Sequence, residues 1–551
     1  MKLFQPKIIT SLRTYSKKQL INDLIAGLIV AIIALPLSIA LAIASGVSPE
    51  KGIYTAIVAG FVIALLGGSN VNISGPTAAF ATIVAGIVAQ FGMSGLVVAT
   101  LMAGVILILM GLCRLGSLIK FIPYTITTGF TSGIALTILI GQIKDFLGLT
   151  FAPGTHAVET SEKVVAIVKS FGSLHWQSLL VGGISLAILI LWPKINRRIP
   201  GSLVAVVMGI LLVKFLPLHV NTIGDLYTIS RSLPSFSFPQ IRLETVKQLL
   251  PSAFTIAVLA AIESLLSCVV SDGMIEDKHN SNTELIALGT GNICSGLFGG
   301  IPATGAIART AANVKNGGRT PVSGIVHALV LLLVLVLLMP YAAWIPMPTI
   351  AAILFMVAYN MSEWKQFVRI CRSSPKSDIL VLITTFVLTV VFDLVVAIEI
   401  GLLMAVILFM KRMIDVTNVR AWTAADEHMK SDGGRLKSIP PHTAVFEIDG
   451  PMFFAAADKF NSFPVRDGDR VMILRMSKVP SMDASAMQKI VGLQRVCEKK
   501  KMVLLFSHVN EQPMSVMKKF GLYDQLGAEC FFENIDDALV YAEKIEKTLQ
   551  I

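Results

Sequence analysis

Glu263 stands in the run Ala257-Val258-Leu259-Ala260-Ala261-Ile262-Glu263-Ser264-Leu265-Leu266-Ser267, with two apolar turns ahead of it. A charge inside a bilayer costs about 2.5 to 3.5 kcal/mol even on the lenient insertion scale, so a carboxyl there needs a use. Burial disfavours its charged form and a nearby cation favours it, so it can take and release a proton as its surroundings change. Proton coupling is the chemistry it suits. Ser264 and Ser267 lie one and four positions on, with Ser267 on the same helical face. Arg309 is the second charge in apolar sequence, about two turns into its segment. Its guanidinium suits a bidentate hold on a carboxylate or sulfate, a pairing with Glu263, or a reach to the headgroups beside Lys315. Asp393 reads as a turn residue, and Glu399 as a packing or substrate-facing group.

Two segments should position these groups. Ile73-Ser74-Gly75-Pro76-Thr77-Ala78-Ala79-Phe80 and Gly299-Gly300-Ile301-Pro302-Ala303-Thr304-Gly305-Ala306 are short, Gly- and Pro-interrupted, and rich in small residues. They occupy matching places in two halves of the apolar sequence, which is the pattern of a transporter's binding site. A helix that begins inside the membrane leaves its first N–H groups unpaired and carries about half a positive charge there. Two such ends facing each other make an anion site. Pro suits the first turn of each, because its missing N–H would have been an orphan. In the first span, Pro36 within Ala34-Leu35-Pro36-Leu37-Ser38-Ile39-Ala40-Leu41-Ala42 kinks the helix and brings Ser38 and Leu41 toward a neighbour or ligand.

The rest of the chain agrees with a membrane setting. Its 551 residues are 54% hydrophobic and only 15% charged, with a mean hydropathy of +0.73. That is too little polar surface for a water-soluble globule. Apolar stretches near 21–45, 53–68, 76–91, 95–112, 123–141, 176–192 and 200–216 read as one set of spans. Those near 251–271, 284–298, 303–314, 321–339, 346–360, 378–392 and 394–411 read as a second. Seven and seven suggests a duplication whose copies are inverted. Five basic residues ahead of the first span place the amino terminus in the cytoplasm. Arg114 and Lys120, then Lys194, Arg197 and Arg198, then Lys315 and Arg319, and the run Lys365, Arg369, Arg372 and Lys376 then fall in cytoplasmic loops. An even span count returns the tail to the same side.

From Pro440 onward Lys and Arg number 14 against 15 acidic residues, so the basic excess belongs to the membrane part and no nucleic acid is implied. Residues 1–415 read as a transport domain, with repeats at about 21–216 and 251–411, then 416–440 as a linker and 441–551 as a cytoplasmic domain. In the last, strands at Ala444–Ile448, Val471–Met476 and Met502–Ser507 alternate with helices at Asp483–Lys499, Glu511–Phe520 and Asp536–Leu549. The six cysteines make no CxxC pair or metal-ligand spacing. No phosphate loop or nucleophile with its base is present, so no cofactor, metal or catalytic residue is expected and the chain does not read as an enzyme.

These features together resemble the sulfate permease (SulP) family of anion transporters across nearly the whole chain. The matches are Asp23-Leu24-Ile25-Ala26-Gly27, Gly52-Ile53-Tyr54-Thr55-Ala56, Ser74-Gly75-Pro76-Thr77, Ala261-Ile262-Glu263-Ser264-Leu265-Leu266 and Asn292 through Arg309, followed by a tail like the family's STAS domain. The resemblance implies an α-helical polytopic membrane protein of the UraA-like kind, fourteen spans in a seven-plus-seven inverted repeat, plus a small α/β STAS domain. It implies a homodimer in which a core moves like an elevator against a gate. Within the family, Gly75–Phe80, Ala261–Leu266, Ala306–Arg309 and Asn360–Glu363 look most like bacterial C4-dicarboxylic acid transporters, which implies proton-coupled uptake of succinate, fumarate or aspartate. Sodium-coupled bicarbonate members carry Asp where Glu263 stands, so Glu points to protons. Relatives that switch by phosphorylation carry Ser or Thr at Ala484, although Ser485 is next door.

The expected pocket is Pro76, Thr77 and Ala78 of one half-helix and Thr304, Gly305 and Ala306 of the other. Ser38 and Leu41 form its wall, Arg309 meets the anion or Glu263, and Glu263 couples the proton. Sulfate or bicarbonate on the same scaffold is the alternative substrate. The expected setting is the bacterial inner membrane, with the lipid bilayer and a cytoplasmic protein at the STAS domain as partners. A channel predicts linear currents instead of saturable uptake, and a membrane sensor predicts binding without flux.

Overall fold

The structure, a computed structural model, describes residues 4–117, 123–152, 157, 159–196, 199–216, 218–230, 232–239, 242–392, 394–422, 439–454 and 468–548. Asp393, Lys120, Arg197 and Arg198 lie outside them. The chain forms two compact units, Met1–Leu403 and Met404–Ile551.

Helices stand wherever the sequence predicts spans. The first half has Lys17–Ala44, Pro49–Leu66, Ala81–Leu112, Tyr124–Leu147, Trp176–Ile195 and Gly201–Phe215. The second has Leu243–Ile275, Ser281–Leu297, Ile307–Lys315, Val322–Ala342, Met347–Met361, Lys376–Val391 and Leu394–Val416. Ala81–Leu112 contains two of the predicted spans, broken at Gly92, whose φ of 65° is a left-handed conformation that glycine adopts without a Cβ penalty. Among the described residues, seven helices are long and apolar enough to cross a membrane. Two more, Thr160–Lys169 and Trp364–Ser373, lie between the predicted spans. Their apolar residues recur at helical spacing but are too few for a span.

The spans sort into two packed groups. Lys17–Ala44, Pro49–Leu66, Ala81–Leu112, Leu243–Ile275, Ser281–Leu297, Ile307–Lys315 and Val322–Ala342 pack on one another. Tyr124–Leu147, Trp176–Ile195, Gly201–Phe215, Met347–Met361 and Lys376–Val391 form a second group, which meets the first mainly along Lys17–Ala44. Small residues permit the closest crossing of the first group: a Cβ on Gly104 would lie 2.7 Å from the Gly289 carbonyl. Backbones approach this closely in membranes because apolar tails give helices no hydrophobic drive to associate, so packing must supply it.

Polar clamps tie the ends of this group. Asp23, fully buried, accepts from Tyr15 Oη at 2.9 Å, from the Arg319 N–H at 2.9 Å and from Thr320 Oγ1 at 2.6 Å. Lys7 Nζ lies 2.8 Å from Asp277, and Asn70 Nδ2 donates to the same carboxyl oxygen at 2.6 Å. Burial pushes the Asp277 carboxyl up, but Lys7, the Lys278 N–H and Asn70 outweigh it and hold the group below the usual carboxylate range. A depressed folded-state pKa contributes stability above the unfolded value, and that contribution is lost as pH falls through the folded one. Asp277→Asn should therefore destabilise by about 0.5 kcal/mol near neutral pH, since the pair is part-exposed, and by less at an acidic pH below the usual carboxylate range. Thermal unfolding at both pH values checks this, and an equal deficit at both would refute the electrostatic origin.

The second unit holds a five-stranded sheet in chain order: Asn418–Trp422, Thr443–Asp449, Val471–Lys478, Val503–Ser507 and Phe531–Phe532. The first pair is antiparallel and the others are parallel. Ala484–Lys499 and Ile535–Thr548 belong to separate apolar clusters on the sheet. Asp483 caps the first of these helices, its side chain accepting from the Ala486 N–H at 2.8 Å. Part of the segment expected as a linker is the edge strand Asn418–Trp422. Its mixed polarity hides a ladder that forms only against Thr443–Asp449.

Candidate functional site

Ser74–Gly75 and Thr304–Gly305 pair as a buried antiparallel ladder, Ser74 opposite Gly305 and Gly75 opposite Thr304. The Ala306 N–H donates to the Ile73 carbonyl at 2.9 Å, and the Ile73 N–H donates to Thr310 Oγ1 at 3.0 Å. The two interrupted segments are therefore joined, and their antiparallel sense is that of inverted copies meeting. Beyond the ladder, Thr77 is extended, Ala78–Phe80 makes one 3-10 turn and the helix follows from Ala81. On the other side Ala306 leads into Ile307–Lys315.

This geometry corrects two expectations. Pro76 and Pro302 do not sit in the first helical turns: extended Thr77 separates Pro76 from the turn at Ala78, and the ladder residues Thr304–Gly305 separate Pro302 from the helix at Ile307. Arg309 is the third residue of its helix instead of lying two turns in, for the same reason.

Arg309 is only 3% exposed, which rules out a reach to the headgroups. Its Nη2 donates to the Pro76 carbonyl at 2.7 Å, a bond from one half-helix to the other. Its Nη1 has no hydrogen-bond partner among the described residues and lies against Gly75, where an added Cβ would come within 2.5 Å of it. No ion pair joins Arg309 to Glu263 among the described residues. Instead Thr77 Oγ1 donates to Glu263 Oε2 at 3.0 Å, placing the carboxylate at the start of the first half-helix. Thr77, Glu263 and Ala306 are partly exposed, while Gly75, Pro76, Ala78, Thr304 and Gly305 are buried behind them.

Thr304 Oγ1 donates to the Ala260 carbonyl at 2.8 Å, fixing the second strand to the helix that carries Glu263. Ser38 and Leu41 are buried in the first span. The Leu41 carbonyl accepts from Ser45, and Ser38 Oγ has no partner among the described residues. Neither is hydrogen-bonded to a half-helix among the described residues. Glu399 is exposed.

Sequence reasoning missed the support behind the ladder. Asn72 Nδ2 donates to Glu284 Oε1 at 2.7 Å and to Ser264 Oγ at 3.1 Å, and Asn72 Oδ1 accepts from Ser267 at 2.8 Å and Thr310 at 3.0 Å. The other Glu284 oxygen accepts from the Gly68 N–H at 2.8 Å. Asn292 brackets Ala303, accepting from its N–H at 2.8 Å and donating to its carbonyl at 2.9 Å. Thr55 Oγ1 accepts from the Ile301 N–H at 2.7 Å. A buried network whose members are mutually satisfied specifies one arrangement, and here it orients both strands.

The arrangement combines two helix N-termini, a fixed guanidinium and a carboxylate beside a partly open face, which is suited to an anion whose binding responds to a proton. The sequence matches the family described as the sulfate permease family over residues 20–385 and the STAS domain over 436–538. It is similar to YvdB of Bacillus subtilis (strain 168), which carries a sulfate-transporter name, at 40% identity over 95% of this chain and 98% of that protein. It is 32% identical to the bicarbonate transporter BicA of Picosynechococcus sp., over 84% of each chain. The inward-facing structure of the murine anion transporter Slc26a9 shares the fold, with a TM-score of 0.87 at 18% identity, covering 98% of this chain and 94% of that one.

Proposed function

The chain belongs to the sulfate permease family, whose members are anion transporters and not enzymes, and from that premise we propose that it carries a small oxyanion by proton-coupled, elevator-like movement of the first helix group. The observation that carries this reading is the antiparallel ladder of Ser74–Gly75 and Thr304–Gly305, with Thr77 and Glu263 at one end and Arg309 bridging the half-helices. In this proposal the anion meets N–H groups at Thr77 and Ala78, with Pro76, Thr304, Gly305 and Ala306, whose own N–H is held by the Ile73 carbonyl, fixing the backbone behind them. Arg309 supplies fixed positive charge, and Glu263 takes the proton. Ser38 and Leu41 remain wall residues.

Sulfate and bicarbonate come first as substrates, because they are the anions in the relatives' names. The C4-dicarboxylate reading rests on the segment resemblances. A second carboxylate would need its own anchor; Arg309 Nη2 is engaged by Pro76, which leaves Nη1 as the guanidinium nitrogen without a hydrogen-bond partner among the described residues. The proposal includes a homodimer in the bacterial cytoplasmic membrane, cytoplasmic termini, and a STAS domain that meets a cytoplasmic partner.

The test is uptake of radiolabelled sulfate into proteoliposomes under an inward proton gradient, with bicarbonate, succinate and fumarate as competitors. Saturable, gradient-driven uptake blocked by bicarbonate or unlabelled sulfate is the expected result. No sulfate uptake, with radiolabelled succinate accumulated in its place, would return the substrate to the dicarboxylates. Linear, gradient-independent flux would overturn secondary transport.

A further inference from the structure

Helix Trp364–Ser373 divides lengthwise. Trp364, Phe367, Val368 and Cys371 recur at three- and four-residue spacing on one stripe, while Lys365, Arg369 and Arg372 recur on the opposite side. The apolar side borders an open groove of about 450 Å³ against Tyr124–Leu147, Met347–Met361 and Lys376–Val391, lined by Leu136, Leu139, Ala358, Phe367, Val368 and Phe386. The rings of Phe367 and Phe386 meet edge to face at 5.3 Å. Both serine hydroxyls at its rim are already donating: Ser132 Oγ to the Ser362 carbonyl at 2.6 Å, and Ser362 Oγ to the Tyr359 carbonyl at 2.8 Å. The lining therefore suits hydrocarbon.

On the other side all three basic side chains are exposed. Lys365 Nζ lies 5.9 Å from the Trp364 ring, an aromatic of the kind that settles at headgroup level. The acidic groups nearby are Glu363, which accepts from Tyr124 Oη at 3.4 Å, and Asp378, which accepts from Ser377 Oγ at 3.4 Å. With Lys376 the corner carries four basic residues against these two. A helix with this division lies in the membrane interface, its basic face toward anionic lipid.

We propose that this corner is a binding site for one anionic glycerophospholipid, with an acyl chain in the groove and the phosphate on Lys365, Arg369 and Arg372. Only an amphiphile meets both halves of the site: a free anion leaves the groove's apolar wall unmatched, and an uncharged apolar molecule leaves the basic stripe unmatched. The bound lipid would brace the spans of the second packed group, so this site is separate from the anion site at the half-helices.

The test is native mass spectrometry of the full-length protein titrated with phosphatidylglycerol and with phosphatidylcholine of the same chains. The expected result is preferential retention of phosphatidylglycerol. That preference should weaken about five-fold for each charge removed and vanish in the Lys365→Gln, Arg369→Gln, Arg372→Gln triple variant. Ala358→Phe, which fills the groove, should lower retention of both lipids while leaving the charge preference of whatever remains. The replaced basic residues are exposed, so the triple variant should fold, and its unfolding temperature is measured alongside. Equal retention of the two lipids by the unaltered protein, a surviving preference in a folded triple variant, or undiminished binding by Ala358→Phe would each overturn the site.

Discussion

Arg309→Gln is expected to leave a folded membrane protein whose apparent KM for its anion has risen about 10- to 100-fold, the factor that follows from losing one charge-assisted hydrogen bond of roughly 1.5 to 3 kcal/mol. The guanidinium bridges the two half-helices through Nη2 and the Pro76 carbonyl, and Nη1 rests against the Gly75 backbone. Gln is two bonds shorter than Arg and does not reach the Pro76 carbonyl, so this variant removes the bridge together with the charge. Arg309→Lys keeps the charge but replaces a planar fork with a single compact group that cannot occupy both places at once. It should therefore recover affinity only in part. Uptake kinetics of both variants, with size-exclusion profiles to show that they fold, decide the matter. An Arg309→Gln protein with an unchanged KM would mean that the guanidinium is purely a strut.

How much of this was legible in the sequence depends on the distance over which a residue finds its partner. The spans were legible because hydropathy and length act within one segment: a run such as Ala257–Leu266 can only be buried. The paired half-helices were legible because Gly and Pro interrupt both halves at matching places. Their start was misplaced because the extended residues are held by a partner more than two hundred positions away, as Ser74 is by Gly305. Asn72 and Glu284 were missed for the same reason. Glu284 follows the cap residue Asn280 closely, so in sequence it looks like an ordinary acidic residue complementing a helix start, and nothing local marks its bond to Asn72. Arg309 was recognised as a charge needing a reason, but the Pro76 carbonyl was not foreseen, since a carbonyl accepts from any donor and leaves no signature. The edge strand Asn418–Trp422 reads as linker in sequence because a ladder between distant segments needs no apolar alternation at its rim.

Glu263→Gln is expected to abolish proton-driven accumulation while preserving exchange of anion across the membrane. In the unaltered protein the carboxylate shares the start of the first half-helix with the proposed anion, and Thr77 Oγ1 donates to it at 3.0 Å. Two negative groups at one helix end repel, so binding the anion favours protonation of Glu263, and by reciprocity protonation favours binding. The amide of Gln can accept the same Thr77 bond, so the geometry is kept and only the titration is removed. The sign follows directly. Wild-type affinity should fall as pH rises, because the carboxylate charges, whereas the variant should hold the wild type's low-pH affinity at every pH. One pH unit is worth about 1.4 kcal/mol per proton, a tenfold accumulation for one-to-one coupling, and the variant should bring that ratio to about one. Uptake against an imposed gradient and counterflow without one measure the two halves of the prediction separately. If the variant still concentrated its substrate, the coupling group would have to lie elsewhere. If it lost counterflow as well, Glu263 would be part of the anion's own cradle and not the site of its proton.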